Sequence, residues 1–180
     1  MEILRMITHT DGGEDYLKNL FNYLCDDRMV IGKAYGVNSK DSSIIADEFL
    51  IVAKFFGNAN KNLVIHYVVS FSRETAPDEW TAFRIVNEVL QPLIEDHIAF
   101  VVVHKETRGD SDCHVHIALS NTNYKDGTMI QPNNKLNFFL AERVADITGK
   151  KCAIEPEYNT NADKENKKKF YRVFSPQHEL

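Results

Sequence analysis

Three cysteines among 180 residues, Cys25, Cys113 and Cys152, are too few and too widely spaced for a disulfide framework, and no Cys-x-x-Cys pair is present to hold a structural zinc. Long apolar runs are also lacking. No stretch approaches the ~20 residues that a membrane helix needs. The start, Met1-Glu2-Ile3-Leu4-Arg5, has neither the basic segment nor the apolar stretch of a secretion signal. There is no internal repeat and no break in composition that would mark a domain boundary. Positive charge is in deficit as well: the formal net charge is −5, so any binding of nucleic-acid phosphate must rely on a local basic face. These absences leave one cytoplasmic globular domain over residues 1–180 as the expectation. Its core is expected over about 1–155, with a basic extension over 156–180, and the length suffices for a single core without crosslinks.

What is present reads as alternating strands and helices. Residues 2–7 suit a first strand. Asp15 is placed to cap a helix beginning near Tyr16, on which Leu17, Leu20, Phe21 and Leu24 form one apolar stripe. Tyr16 and Tyr23, two turns apart, project from similar faces of that helix. A connection with a short strand follows, and then a helix capped by Ser42 or Ser43 that runs to about Phe56. Residues 62–71 are rich in β-branched and aromatic side chains and predict a central strand. Pro77 marks the start of a third helix. Residues 98–104 and 113–119 make two more strands, and Leu136 to Ile147 a last helix stopped by Gly149. The strands flanking the 105–112 loop must be antiparallel, because a parallel crossover needs a dozen or more residues. The fold class predicted is α+β, a central antiparallel sheet with helices packed mainly on one face.

Three of the seven histidines are organised. His114 and His116, two apart on a strand, point to the same face. His104 ends the preceding strand, and pairing across the loop carries it to the same neighbourhood. Three converging imidazoles with open positions can bind a divalent cation, although a His-x-His pair alone also occurs on ordinary surface strands. His66, in the predicted central strand, is placed either to support such a site or to serve as a satisfied core residue. The interleaved Lys167, Lys168, Lys169, Phe170, Tyr171 and Arg172 suit a solvated surface stretch or a DNA contact.

The run Val103-His104-Lys105-Glu106-Thr107, with Cys113-His114-Val115-His116-Ile117-Ala118-Leu119-Ser120-Asn121, resembles the signature of the relaxases, the mobilisation (MobP-like) nucleases of the HUH class. In that family a strand ending in His precedes a His-hydrophobic-His strand, a small polar residue and Asn. Tyr124-Lys125-Asp126-Gly127-Thr128 resembles the hairpin that follows. His66-Tyr67-Val68-Val69-Ser70-Phe71 is similar to the strand before the middle helix, and Leu20-Phe21-Asn22-Tyr23-Leu24 to the segment bearing the nucleophilic tyrosine. The resemblance covers most of residues 16–150 in the right order. Glu106 stands where many relatives carry Asp. Arg108-Gly109-Asp110-Ser111 lengthens the loop, which makes His104 the ligand most dependent on how the two strands pair.

The resemblance implies an HUH-endonuclease architecture with a ferredoxin-like or RRM-like palm, and an enzyme that nicks single-stranded DNA at an origin of transfer. Tyr23 would attack a backbone phosphorus and leave a 5′-phosphotyrosyl link and a free 3′-hydroxyl, with Tyr16 as the rival nucleophile. His104, His114 and His116 would hold the metal, Glu106 would ligate, orient a histidine or accept a proton, and His66 would support the site from behind. Lys167, Lys168, Lys169 and Arg172 would contact DNA. Mg or Mn is the expected ion, with Zn, Co or Ni as alternatives that imidazole also suits. Expected partners are accessory DNA-binding proteins and a type IV secretion coupling protein in a bacterial cytoplasm. The competing readings are a rolling-circle initiator or transposase of the same class, whose tyrosine follows the histidines, a non-catalytic DNA-binding module of the same fold, and a small zinc hydrolase.

Overall fold

In the computed structural model of the protein, the described residues are 1–7, 14–105, 113–131, 134–155 and 172–177. They form β1 (Glu2–Ile7), α1 (Glu14–Leu24), β2 (Met29–Tyr35), α2 (Ser42–Phe55), β3 (Val64–Phe71), α3 (Glu79–Leu90), β4 (His97–His104), β5 (Cys113–Asn123), α4 (Asn134–Thr148), β6 (Cys152–Glu155) and β7 (Arg172–Phe174). The strands make one sheet in the order β2-β4-β5-β3-β1-β6-β7. The α+β class is the one expected, and β3 is central as predicted. No helix among the described residues is long and apolar enough to cross a membrane.

Two features of the layering differ from the simplest expectation. The sheet is mixed, because β1 and β6 pair in parallel. Their connection runs through the rest of the chain, which removes the short-hairpin constraint that makes β4 and β5 antiparallel. Helices also lie on both faces. α3 and α4 cover one face through Val86, Leu90, Leu140 and Val144, against Val101, Val103, Val115 and Ile117. α1 and α2 cover part of the other through Leu17, Phe21, Ile45 and Phe49, against Phe100, Val102 and Ala118. This explains why β4 is apolar without alternation: it is buried on both sides. Each of the four buried α1 side chains contributes about 2 kcal/mol of apolar burial.

Local signals account for most boundaries. α2 is capped by Asp41, whose carboxylate accepts from the Ser43 amide at 2.8 Å, one residue before the serines expected to do so. Asp has the stronger acceptor for an orphan helix amide. α3 is likewise capped by Asp78, one residue after Pro77. α1 begins at Glu14, which puts Asp15 in the first turn instead of at the cap. Gly127, in the turn after β5, adopts φ +76°, and a Cβ there would sit 2.3 Å from the Phe56 ring, so only glycine fits. β6 and β7 were not foreseen. Arg172–Phe174, from the stretch read as a basic extension, adds the seventh strand at the sheet edge.

Candidate active site

Strand register brings the predicted histidines together. His104 pairs with His114 across β4 and β5, and Val102 pairs with His116. Directly opposed residues share a face, so all three imidazoles stand on the face that carries Phe100, Val102 and Ala118. The apolar cover of α1 and α2 stops short of them. Beyond its end lies a cavity of about 390 Å³, lined by His104, His114, His116, Tyr23 and Arg28, with Arg5, Lys105 and Glu155 also at its wall.

Tyr23 sits in the last turn of α1, one residue before the buried Leu24. It is 43% exposed. Its ring meets His104 edge-on at 5.7 Å between centroids and His116 at 5.6 Å. Tyr16 is elsewhere: it packs at the margin of the α1–α2 core, does not line the cavity, and burial raises its phenol pKa. Of the two tyrosines that the sequence leaves open, only Tyr23 is at the histidines.

The histidines are oriented from behind. His104 Nε2 lies 2.9 Å from the Leu24 carbonyl, and a carbonyl only accepts, so Nε2 carries the proton and Nδ1 keeps its lone pair. His66 is 2% exposed, and its Nε2 lies 3.1 Å from His116 Nδ1. When His116 is the donor in that contact, its Nε2 is left as the free lone pair. Burial first, then the charges of His66, His104, His114 and Arg28, depress the His116 pKa to about 2. His116 is therefore neutral at physiological pH, as a metal ligand must be.

Among the described residues, no group of three or more His, Cys, Asp or Glu side chains is arranged so as to hold a metal ion. The donor set nonetheless fits a divalent ion. His104 and His116 rings lie 4.5 Å apart, each oriented by a partner on its other nitrogen, and His114 lines the same cavity.

Arg28 is a site residue that sequence reasoning missed. Asp26 grips its guanidinium with contacts of 2.5–3.1 Å, and the guanidinium lies 5.0 Å from the Tyr23 ring centroid. Asp26 foremost, and Tyr23 after it, raise the Arg28 pKa, so the charge is permanent. The only hint in the sequence is its position five residues after Tyr23, just past the helix. Arg5 and Lys105 add two further cations to the cavity wall, Arg5 paired with Glu155 at 2.8 Å. A cluster of cations thus stands at the histidines inside an acidic chain, with Arg5 and Arg28 each paired to a carboxylate.

Other predicted residues, and the histidines to which the sequence assigns no role, fall away from this cavity or outside the described residues. Glu106 and Lys167, Lys168 and Lys169 lie outside the described residues, as do His9 and His178. Arg172 lies over the rings of Phe138 and Phe174, at 4.6 and 4.9 Å from their centroids. His97 is satisfied, its Nδ1 2.9 Å from the Ser120 carbonyl.

A family model described as "Relaxase: MobA/VirD2-like, nuclease domain" matches residues 23–154. A solved structure from work on the molecular basis of vancomycin resistance transfer in Staphylococcus aureus superimposes with a TM-score of 0.56 at 11% identity, over 99% of this chain and 98% of that one. At that identity the likeness concerns the fold. No curated protein matches.

Proposed function

The chain belongs to the MobA/VirD2-like relaxase nuclease family, and from that premise we propose that Tyr23 is the nucleophile with which it nicks the transferred strand. The family establishes the coarser activity, DNA nicking in conjugative transfer on single-stranded DNA at the origin of transfer. The observation that carries the finer reading is the contact of the Tyr23 ring with two histidines in one cavity lined by three cations.

The scissile phosphate would enter the 390 Å³ cavity from the side that α1 and α2 leave open. Arg28 and Lys105 would attract it, and Arg28, fixed by Asp26, would stabilise negative charge as it grows on the Tyr23 oxygen. A phenol is largely protonated at neutral pH, so this help is needed. Tyr23 Oη forms a bond to phosphorus, and the bond from phosphorus to the 3′-oxygen breaks. The strand keeps a 3′-hydroxyl, and its 5′-phosphate becomes esterified to Tyr23. The phenolic proton passes to a base, for which Glu106 is the proposed residue, and the departing oxygen is protonated from solvent.

His104 through Nδ1, His116 through Nε2 and His114 would hold a divalent cation, with His66 positioning His116. When bound, the ion would polarise the non-bridging phosphate oxygens. Mg or Mn remains the expected ion, with Zn, Co and Ni compatible with imidazole. Lys167, Lys168, Lys169 and Arg172 remain proposed DNA contacts, and the accessory proteins and secretion coupling protein remain proposed partners.

The test is incubation with single-stranded origin oligonucleotides and Mn²⁺ or Mg²⁺, followed by a denaturing gel. A metal-dependent covalent band that disappears in Tyr23→Phe is the expected result. A band that survives Tyr23→Phe and is lost in Tyr16→Phe would reassign the nucleophile.

A further inference from the structure

A second cavity, of about 660 Å³, lies where the end of β1, the start of β3 and the end of β5 meet the start of α4. Its size is that of a small-ligand site. Met6, Ile65 and Met129 give it apolar walls, and carboxamides give it polar groups. Asn121 and Asn137 are each only 7% exposed. Buried amides normally find partners for both ends. Asn121 Nδ2 donates to the Asn62 carbonyl at 3.1 Å, which fixes the amide orientation, and its Oδ1, almost wholly covered, has no donor among the described residues. Asn137 Oδ1 accepts from the Tyr67 hydroxyl at 2.7 Å, which leaves Nδ2 to donate. The wall of the cavity therefore holds an unpaired but covered acceptor and a donor between apolar side chains.

Its position ties it to the active site. Ile7 lines both cavities. Along β5, Asn121 stands five and seven residues beyond His116 and His114, roughly 17–23 Å, and on the opposite face of the sheet, the one that carries Val115 and Ile117. A strand of DNA with a phosphate at the histidines would reach the second cavity by passing the end of the sheet beside Ile7, several nucleotides away.

We propose that this cavity is a pocket for one unstacked nucleobase whose Watson–Crick edge sets an exocyclic amino group beside an unprotonated ring nitrogen, adenine or cytosine, of the strand whose phosphate occupies the histidine cavity. The inference rests on the reading of the chain as a binder of single-stranded DNA. The amino group donates to Asn121 Oδ1, and a ring nitrogen accepts from Asn137 Nδ2, the kind of donor–acceptor pair by which carboxamides read adenine. The apolar walls receive the faces of the ring. Lys61, whose Nζ donates to Asn58 Oδ1 at 3.0 Å at the same cavity, supplies a cation for the nucleotide's phosphate. Thymine lacks the amino group and leaves the Asn121 acceptor less well satisfied.

The probe is an NMR titration of the full chain with deoxyadenosine, deoxycytidine and thymidine monophosphates in the absence of metal. Deoxyadenosine and deoxycytidine monophosphates are expected to shift the side-chain amide signals of Asn121 and Asn137. Thymidine monophosphate is expected to bind about tenfold more weakly. Met129→Trp, which fills the cavity from a half-buried position, is expected to abolish the response. If that variant fails to fold, Lys61→Gln, a surface change, serves instead: it should weaken deoxyadenosine monophosphate severalfold and leave deoxyadenosine unaffected. Equal binding of all three nucleotides, shifts confined to the histidine cavity, or no response would overturn the proposal. The covalent-adduct assay is read separately. An intact nucleotide response without any adduct would count against the nicking reading and leave the pocket standing.

Discussion

One face of the sheet carries two regions that share strands and register but differ in chemistry. Along β4 and β5, Phe100, Val102 and Ala118 lie under α1 and α2 and are almost fully buried. Next along the same strands, His104, His114 and His116 lie where that cover has ended. The difference is set by where α1 stops. Phe21 and Leu24 point into the apolar half, and Tyr23, between them in sequence, is turned by the helical period toward the open half. The helix that closes the core therefore also delivers the Tyr23 ring to the histidines. Stability should reside in one half and chemistry in the other, and substitutions can separate them.

The largest separation is expected from adjacent α1 residues. Tyr23→Phe should reduce covalent-adduct formation by at least ~10³-fold. It should shift unfolding free energy by less than about 0.5 kcal/mol, because the hydroxyl belongs to a residue that is 43% exposed. Phe21→Ala should do the reverse. Phe21 is 1% exposed and sits against Phe49 and Phe100 at 5.2 and 5.6 Å, so truncation should cost about 3–5 kcal/mol in urea unfolding. A large stability loss in Tyr23→Phe would show that the division between the halves is wrong.

A smaller effect is expected at Arg28. Arg28→Gln removes the charge over the Tyr23 ring and should slow adduct formation by about 10²-fold without weakening metal binding, because Arg28 is not a ligand and its charge repels a cation at the histidines. Arg28→Lys should recover only part of the rate, since an ammonium cannot keep the forked grip on Asp26. Rates measured by single-turnover gel assay, beside metal binding by calorimetry, distinguish a role at Tyr23 from a general loss of structure.

Most strands and the paired histidines were legible in the sequence because each follows from a short-range rule, such as alternation on β5 or a loop too short for a crossover between β4 and β5. Helical spacing leaves Tyr16 and Tyr23 equivalent, and the family resemblance singled out Tyr23. Placing helices on both faces was not legible in the same way. α1 and α2 read as ordinary amphipathic helices, and nothing local in Leu17 or Phe49 says which face of the sheet they meet. β6 is only four residues long, and its partners, Glu2 to Arg5, are some 150 residues away in sequence. Arg28 escaped for a similar reason: its meaning comes from the fold of the turn after α1, where Asp26 holds it against Tyr23. The β1–β6 and α1–histidine contacts are tertiary, and a single sequence carries no period for them.

The smallest effect concerns the buried edge of the histidine half. His116 is 6% exposed, and its pKa is held near 2, against about 6.5 in an unfolded chain. In that window the unfolded chain binds a proton that the folded one does not, so stability from this source is complete above about pH 6.5 and falls as the pH is lowered. One proton limits the slope to about 1.4 kcal/mol per pH unit. Urea unfolding at pH 7, 6 and 5 should therefore show a loss in the metal-free wild type that shrinks in His116→Gln. Bound metal requires the same neutral imidazoles, so adding Mn²⁺ should steepen the loss in the wild type and leave His116→Gln less affected. Val102, paired with His116 in the sheet but capped by the apolar half, has no such group to titrate. A pH response that persisted unchanged in His116→Gln would place the acid sensitivity elsewhere in the chain and break the link between the open half of the face and its chemistry.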